Sequence, residues 1–270
     1  MAFVQVKTFS EALRTKTDIQ VILPTPLTGD VLQGPESRFP YYSRDVAVPV
    51  LYLLHGTYGD DGDWMRFSRI ESYAQEYNLA VVMPCGGNSW YNNMPSGGPA
   101  YYDYITRELP RMISWMFPVS GKREDSFIAG LSMGGSGAFK LAMTKPEQYS
   151  HVAVLSGGFS NLDDRIAKEN SVWSLAFEPG KSSKGTDNDP YFVTEEIIRK
   201  NIRYPELYIC CGTSDFLYEE NCEFRKHLDK IGFKYQYHEQ PGIHDFNFWD
   251  DEIKRILAWL PIKKRKDIKA

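Results

Sequence analysis

A serine stands at the centre of a glycine-rich motif between a predicted strand and a predicted helix. The motif GLSMGG occupies positions 130–135, after the apolar run SFIA and before the helical pattern GSGAFKLAMTK. A G-x-S-x-G sequence in this context is typical of a nucleophile elbow, in which a tight turn holds the serine hydroxyl above a sheet. The glycines keep neighbouring side chains clear of that turn. The motif therefore predicts nucleophilic catalysis by Ser132.

A serine hydroxyl is a weak nucleophile at neutral pH, so Ser132 needs an adjacent base and a third group that orients the base. In the elbow architecture the acid and then the histidine follow the serine along the chain. His244 lies in the turn QPGIH directly after the last predicted strand, and open α/β sheets bind ligands at that edge. We therefore predict that His244 is the base. The other histidines fall in predicted strands, strand ends or helices: His55, His151, His227 and His238.

The acid is expected after an intervening strand at the same sheet edge. Asp215 follows the apolar run LYICC and meets this condition. Asp187 and Asp189 are alternatives in a polar stretch that is typical of solvated turns. Asp245 is adjacent to the base in sequence, which makes a hydrogen bond to His244 awkward. We predict that Asp215 holds the imidazole tautomer and stabilises the imidazolium without taking the proton.

An oxyanion hole requires backbone amides aimed at the place where negative charge develops. The residue after the nucleophile supplies one donor, which predicts the amide of Met133. The second donor is expected in the loop after the strand that ends LLHG, where Thr57 and Tyr58 are both possible. Thr57 is preferred because it directly follows the glycine. His55 is interpreted as a brace for this loop rather than as a base.

Strands and helices that alternate along the chain must position these residues. This alternation predicts a mainly parallel sheet with helices on both faces. An antiparallel pair, Phe3–Phe9 and Ile19–Leu23, is expected at the sheet edge. The predicted strands are Val48–Leu54, Leu79–Pro84, Ser126–Ala129, His151–Leu155, Leu207–Cys211 and Lys234–Glu239. The predicted helices are Trp64–Glu76, Tyr101–Phe117, Gly134–Thr144, Tyr218–Ile231 and Phe246–Leu260.

Two stretches depart from the alternation. Residues 28–45 are polar and rich in Gly and Pro, which predicts a surface loop. Residues 157–189 form a long, weakly patterned connection, and connections of this length usually have a function or are disordered. We therefore expect one domain over residues 1–270, with residues 157–189 as an insertion that caps the site.

Composition excludes several classes of function. The 270 residues contain 31 Lys and Arg against 35 Asp and Glu, so the net charge is −4 and nucleic acid is not expected as a partner. The longest apolar run covers positions 46–54, far below the roughly 18 residues that suggest a membrane span. The N-terminus lacks the apolar core of a secretory signal, and the four cysteines show no C-x-x-C spacing, which predicts a cytoplasmic protein. The sequence shows neither a metal-ligand spacing nor a glycine-rich phosphate loop, so no cofactor is expected.

Taken together, six segments resemble the tributyrin esterase branch of the putative esterase family. They are LYLLHGTYGDDGDW, VVMPCGGNSWY, YYDYITRELP, FIAGLSMGGSGAFKLA, CGTSDFLYEEN and GIHDFNFWDDEIKRILAWLP. That family is similar to S-formylglutathione hydrolase, to family 1 carbohydrate esterases and to the antigen 85 mycolyltransferases. The resemblance implies an α/β-hydrolase fold and a triad of Ser132, Asp215 and His244. It also implies oxyanion donors at Thr57 and Met133, and Trp90 near the acyl or alcohol pocket.

Aromatic residues in loops at the predicted carboxyl edge of the sheet suggest an apolar ester pocket. We expect Tyr58, Trp90, Tyr91 and Phe216 to contact the substrate. The predicted function is a serine carboxylesterase that acts on short-chain acyl esters of small molecules, through an acyl-enzyme. The alternatives are a feruloyl or acetyl-xylan esterase acting on glycan-linked esters, an S-formylglutathione-type thioesterase, and an inert binding module with a hydrolase fold. A homo-oligomer is compatible with the sequence.

Overall fold

A computed structural model describes residues 1–26, 47–160, 162–167 and 171–264 of the chain. Eight strands of these residues form one sheet in the order β1-β2-β4-β3-β5-β6-β7-β8. The strands are β1 (Ala2–Ser10), β2 (Thr15–Leu23), β3 (Val50–Leu54), β4 (Ala80–Pro84), β5 (Ser126–Leu131), β6 (His151–Leu155), β7 (Glu206–Gly212) and β8 (Gln236–Gln240). The surface loop predicted for residues 28–45 lies outside the described residues.

The direction of the strands confirms the expected α/β architecture. β1 pairs with β2, and β2 with β4, in antiparallel fashion, so the hairpin forms one edge of the sheet. All other neighbouring strands are parallel. Since parallel strands share one carboxyl edge, the loops after β3, β5, β7 and β8 lie on the same side of the sheet.

Nine α-helices occur in the described residues. They are α1 (Asp63–Phe67), α2 (Ile70–Gln75), α3 (Tyr101–Asp103), α4 (Leu109–Met116), α5 (Met133–Thr144), α6 (Leu162–Ile166), α7 (Pro190–Arg199), α8 (Tyr218–Ile231) and α9 (Phe246–Trp259). Instead of the single helix predicted for residues 101–117, a π-helical turn at Tyr104–Glu108 joins α3 to α4.

The prediction of a single helix over residues 64–76 is wrong, because the helical conformation is interrupted between α1 and α2. Ser68 is extended, with φ −134° and ψ 173°. Its hydroxyl donates to the Trp64 carbonyl at 2.5 Å and accepts from the Ile70 amide at 3.3 Å. The next amide, that of Arg69, donates to the Asp250 carboxylate on α9 at 2.7 Å. A contact with a distant helix therefore overrides the local helical pattern.

Two apolar cores lie on opposite faces of the sheet, and β3 contributes to both. Val50, Tyr52 and Leu54 belong to one core, whereas Leu51 and Leu53 belong to the other. All five side chains are buried. A strand covered by helices on both faces is continuously hydrophobic rather than alternating, which is why the sequence VLYLL predicts a strand.

Candidate active site

Ser132 lies in the turn between β5 and α5, with φ 53° and ψ −121°. Non-glycine residues rarely adopt a positive φ, and such strain persists only where the surroundings hold it. A Cβ on Gly130 would lie 2.3 Å from the Gly134 carbonyl oxygen, and a Cβ on Gly134 would lie 2.4 Å from the His55 carbonyl oxygen. The Ser132 amide donates to the Leu155 carbonyl at 2.8 Å. The turn therefore requires both glycines and is fixed to the neighbouring strand.

Asp215 and His244 lie in the loops that follow the neighbouring parallel strands β7 and β8. The two loops are joined by a backbone hydrogen bond from the Ser214 amide to the Gly242 carbonyl at 3.0 Å. Pairing of β7 with β8 thus brings two side chains together that are 29 positions apart in the sequence.

Three side chains form one hydrogen-bonded series. His244 Nε2 lies 2.9 Å from Ser132 Oγ. His244 Nδ1 lies 2.8 Å and 3.0 Å from the two carboxylate oxygens of Asp215. A carboxylate only accepts, so Nδ1 carries the proton and Nε2 is free to accept from the serine hydroxyl. In this tautomer the imidazole can take the proton of Ser132.

The carboxylate of Asp215 is held in its ionised form. Burial acts to raise the pKa of Asp215, but the hydrogen bonds from His244 and from the Leu217 amide outweigh burial and keep this pKa below its usual value. The Leu217 amide lies 2.8 Å from Oδ1. Behind the imidazole, Trp249 packs edge-on with its ring centroid 4.9 Å from that of His244. Its indole N–H donates to Ser156 at 3.0 Å, which fixes the ring.

Two of the competing acids and one of the competing histidines are engaged elsewhere. Asp245 and Asp189 are the N-cap residues of α9 and α7, where their carboxylates accept from first-turn amides. His238 Nδ1 lies 3.0 Å from the buried carboxylate of Glu252. The geometry therefore brings Ser132 together with His244 rather than with these alternatives.

Two candidate oxyanion donors lie beside the nucleophile. Thr57 and Met133 both line the cavity that contains Ser132. Met133 begins α5, and the first amides of a helix have no acceptor within that helix. The amide of Tyr58 donates to the Asn88 side-chain oxygen at 2.8 Å, so it is already engaged. Thr57 is therefore a better candidate than Tyr58 for the donor in this loop.

His55 connects the loop after β3 to the loop after β4. The Gly86 amide donates to Nε2 at 2.8 Å, so the proton is on Nδ1, which donates to the Gly56 carbonyl at 2.7 Å. Burial lowers the pKa of His55, which favours this neutral form. A neutral imidazole bonded to backbone on both sides can brace the loop that carries Thr57.

A cavity of about 530 Å³ opens over Ser132 and His244. Its wall is largely aromatic and apolar, as is usual for small-molecule sites. Two charged side chains, Asp63 and Arg165, also face it. The principal apolar lining residues are Trp90, Trp173, Phe216, Leu217, Phe246 and Trp249.

Three of the four residues expected to contact substrate line this cavity. Tyr58 and Phe216 are 78% and 72% exposed at its mouth, whereas Trp90 is only 6% exposed and forms an inner wall. The expected substrate contact of Tyr91 is wrong. Tyr91 is fully buried, and its hydroxyl donates to the His55 carbonyl at 2.9 Å. It packs beneath the loop rather than facing the cavity.

Sequence reasoning missed the charged residue Arg165 on α6. Its guanidinium is paired with Glu220 on α8 and also donates from Nε to Ser160 Oγ at 3.1 Å. No local pattern could have identified it, because α6 is a short helix within the weakly patterned segment 157–189. The same segment contributes residues 171–173 to the cavity wall.

In residues 1–26, 47–160, 162–167 and 171–264, no group of three or more His, Cys, Asp or Glu side chains is arranged to hold a metal. No helix within these ranges has the length and apolar character to cross a bilayer.

Comparison with known proteins gives consistent matches. The family model described as "Putative esterase" matches residues 33–260. An acetyl esterase of Caldicellulosiruptor saccharolyticus is 29% identical over 269 residues, which covers 96% of this chain and 98% of that protein. Two solved structures from Staphylococcus aureus each share 34% sequence identity with this chain. Each match covers 96% of this chain and 98% of the chain in the solved structure. They are the substrate-bound fluorophosphonate-binding serine hydrolase F, with a TM-score of 0.86, and an S-formylglutathione hydrolase, with a TM-score of 0.83.

Proposed function

Because the chain belongs to the putative esterase family and is a carboxylic ester hydrolase, we propose that it hydrolyses short-chain acyl esters with Ser132 as nucleophile, His244 as base and Asp215 as the orienting acid. One observation carries this assignment. Ser132 Oγ lies 2.9 Å from Nε2 of an imidazole whose Nδ1 lies 2.8 Å from a buried carboxylate.

In the acylation step His244 Nε2 takes the proton of Ser132 as Oγ attacks the ester carbonyl carbon. The carbonyl oxygen becomes an oxyanion and accepts hydrogen bonds from the amides of Thr57 and Met133. When the intermediate collapses, the bond to the alcohol oxygen breaks and the imidazolium donates its proton to that oxygen. The alcohol leaves and the acyl group remains on Ser132. Asp215 stabilises the imidazolium throughout.

Deacylation repeats these proton transfers with water. His244 takes a proton from water as the water oxygen attacks the acyl carbonyl, and it returns a proton to Ser132 Oγ when the acyl–serine bond breaks. The carboxylic acid leaves and the free enzyme is restored. Each oxyanion-hole donor typically accounts for about 10²–10³-fold in kcat.

The cavity volume supports a small-molecule ester as substrate. About 530 Å³ lies within the usual range for sites that enclose small ligands. The similarity to an acetyl esterase supports a short acyl group. We further propose that residues 157–189 cap the site, since residues 171–173 contribute to the cavity wall.

The assignment is tested with Ser132→Ala and with the matched variant Ser114→Ala, which changes an exposed serine on α4. We expect Ser132→Ala to lower kcat for p-nitrophenyl acetate about 10⁴-fold or more, since only binding and the oxyanion hole remain. Ser114→Ala keeps wild-type turnover. A fluorophosphonate probe should label the wild type at Ser132 and leave Ser132→Ala unlabelled. Turnover or labelling that survives in Ser132→Ala would contradict the proposal.

A thioesterase of the S-formylglutathione type is a second candidate, supported by the 34% identity to such an enzyme from Staphylococcus aureus. A sugar-linked ester is a third, because two tryptophans, Trp90 and Trp173, line the cavity and pack edge-on against each other there. Comparing kcat/KM on p-nitrophenyl butyrate, S-formylglutathione, methyl ferulate and acetylated xylo-oligosaccharide ranks these candidates. A thioester preference of tenfold or more would replace the short-chain carboxylester as the main substrate class.

A further inference from the structure

A buried ammonium group joins three segments of the chain beside the cavity. Lys140 lies on α5, about two turns after the nucleophile, and is only 4% exposed. Its Nζ donates to the Trp90 carbonyl at 2.7 Å and to the Asn188 side-chain oxygen at 3.0 Å. It also donates to the side-chain oxygen of Asn92. All three ammonium protons are thus directed to oxygens of two other segments.

The three acceptors are neutral, so the ammonium has no counter-charge among them. Burying a charge in this way is costly even when its hydrogen bonds are made. Burial accordingly lowers the pKa of Lys140 to about 7, against an opposing effect of the Asp187 carboxylate. An apolar side chain would fill this position without the desolvation cost of a charge. We therefore look for the role of Lys140 in the segments to which its ammonium is hydrogen-bonded.

The backbone that Lys140 holds is strained. Trp90 and Tyr91 have φ angles of 52° and 53°, two consecutive left-handed residues that are not glycine. Residues in this conformation are strained and persist only where the surroundings fix them. The Trp90 carbonyl belongs to the peptide between these two residues. The hydrogen bond from Lys140 therefore fixes the one peptide plane that both strained residues share.

The same loop forms an inner wall of the substrate cavity. The Trp90 ring faces the cavity and packs edge-on against Trp173, with ring centroids 5.1 Å apart. The Asn92 side chain also donates to the Ala176 carbonyl at 3.3 Å. The ammonium of Lys140 thus connects the helix of the nucleophile directly to Trp90, and only through the Trp90 ring to Trp173.

We propose that Lys140 is a positioning residue that fixes the Trp90 wall and thereby limits the size of the ester group that enters the cavity. The inference rests on the proposed function, because it assumes that the cavity over Ser132 binds the ester. When the ammonium is removed, the strained loop relaxes and the wall recedes. Larger ester groups are then accepted more readily relative to small ones.

The experiment compares Lys140→Met with Trp90→Ala, which removes the wall itself, and with the double variant. Selectivity is measured as ratios of kcat/KM over acyl length (p-nitrophenyl acetate, butyrate and hexanoate) and over alcohol size (methyl, phenyl and naphthyl acetate). Lys145→Met, which removes another lysine at the end of the same helix, is the matched control. Fluorophosphonate labelling of Ser132 in every variant reports an intact nucleophile.

We expect Trp90→Ala to shift one of the two ratios at least fivefold towards the larger group. Lys140→Met should shift the same ratio in the same direction at least threefold, and the double variant should match Trp90→Ala alone, because Lys140 acts through Trp90. Lys145→Met should keep wild-type ratios. Additive effects in the double variant, or an unchanged ratio in a labelled Lys140→Met variant, would overturn the inference.

The inference also fails if Trp90→Ala leaves both ratios unchanged, because the wall then does not limit the substrate. The wild type distinguishes this outcome from a failure of the proposed function. If the proposed function were wrong, the wild type would hydrolyse none of these esters and the fluorophosphonate probe would not label Ser132. If Lys140→Met does not fold, Asn92→Ala removes one acceptor from a half-buried position. Asn92→Ala should shift the kcat/KM ratio about twofold in the same direction as Lys140→Met. The control Asn93→Ala, at the exposed neighbouring residue, should keep the wild-type ratio. Equal ratios in Asn92→Ala and Asn93→Ala would overturn the inference.

Discussion

Gly212 and Gly242 meet so closely that a Cβ on Gly212 would lie 2.4 Å from the Gly242 carbonyl oxygen. Gly212 ends β7, and Gly242 lies in the loop after β8. This contact lets the loop of His244 fold over the loop of Asp215, so that the imidazole and the carboxylate meet at 2.8 Å. The arrangement of the proposed base and acid therefore depends on the absence of a side chain at Gly212, a residue that takes no part in the chemistry.

Gly212→Ala should lower kcat and also lower the free energy of unfolding, because the added methyl group would meet the backbone of Gly242. The added methyl group must displace backbone, and a shift of about 1 Å in a catalytic group can cost about 10²-fold in rate. We expect kcat for p-nitrophenyl acetate to fall about 10²-fold, measured beside the circular dichroism of the folded protein. Gly121→Ala is the control, since a Cβ there meets nothing within 4 Å. Equal activity of both variants would show that the contact does not position the acid and base.

Asp215→Asn should lower kcat by about 10⁴-fold, because an amide favours the wrong imidazole tautomer while preserving shape. Asp245→Asn is the matched change at the residue next to the base. Asn is as good an N-cap as Asp, so α9 and the activity should both persist. The measurement is kcat on p-nitrophenyl acetate. Comparable losses in the two variants would argue against Asp215 as the orienting acid.

The pair between Arg165 and Glu220 should stabilise α6 against α8. Glu220 also accepts from the amides of Phe159 and Ser160, at 3.2 Å and 3.0 Å. We expect Arg165→Met and Glu220→Gln each to lower the free energy of unfolding, with a coupling energy of about 1–3 kcal/mol in the double-variant cycle. Urea unfolding measures this. A coupling energy near zero would mean that the ion pair is incidental.

The buried ammonium of Lys140 should make stability increase with pH. Burial lowers the pKa of Lys140 from 10.5 to about 7, whereas the unfolded chain keeps the ordinary value. Between these two values the unfolded state binds more protons than the folded state, so the free energy of unfolding rises as pH rises from about 7 towards 10.

Lys140→Met removes this contribution, so its unfolding free energy should rise less than that of the wild type, by on the order of 2 kcal/mol between pH 7 and pH 9. Urea titrations at pH 7, 8 and 9 measure the difference, and Lys145→Met should behave as the wild type does. Parallel curves for the wild type and Lys140→Met would show that the ammonium does not lose its proton in this range.

The local motifs predicted much of the fold and the candidate site because their causes are local. The turn around Ser132 requires glycine on steric grounds, so strand, turn and helix can be recognised from a few adjacent residues. The buried strand VLYLL is continuously apolar because both of its faces are covered. Asp215 and His244 could be proposed from their order along the chain and their positions after strands.

Other properties follow from contacts between distant segments, which no local pattern encodes. The side chain of Asn88 engages the amide of Tyr58 and so distinguishes it from Thr57. Tyr91 stands in a loop sequence typical of a pocket, yet packing beneath α5 buries it: a Cβ on Gly137 would meet its ring at 2.3 Å. In the sequence Lys140 resembles an ordinary surface residue of a helix. In the structure it is buried, and its ammonium donates to the carbonyl of Trp90 in a distant loop. Sequence by itself determined the types and order of the chemical groups, because backbone sterics and strand burial act over a few residues. Only the tertiary structure decided which groups face the cavity, because burial and hydrogen-bond partners depend on segments that meet in space.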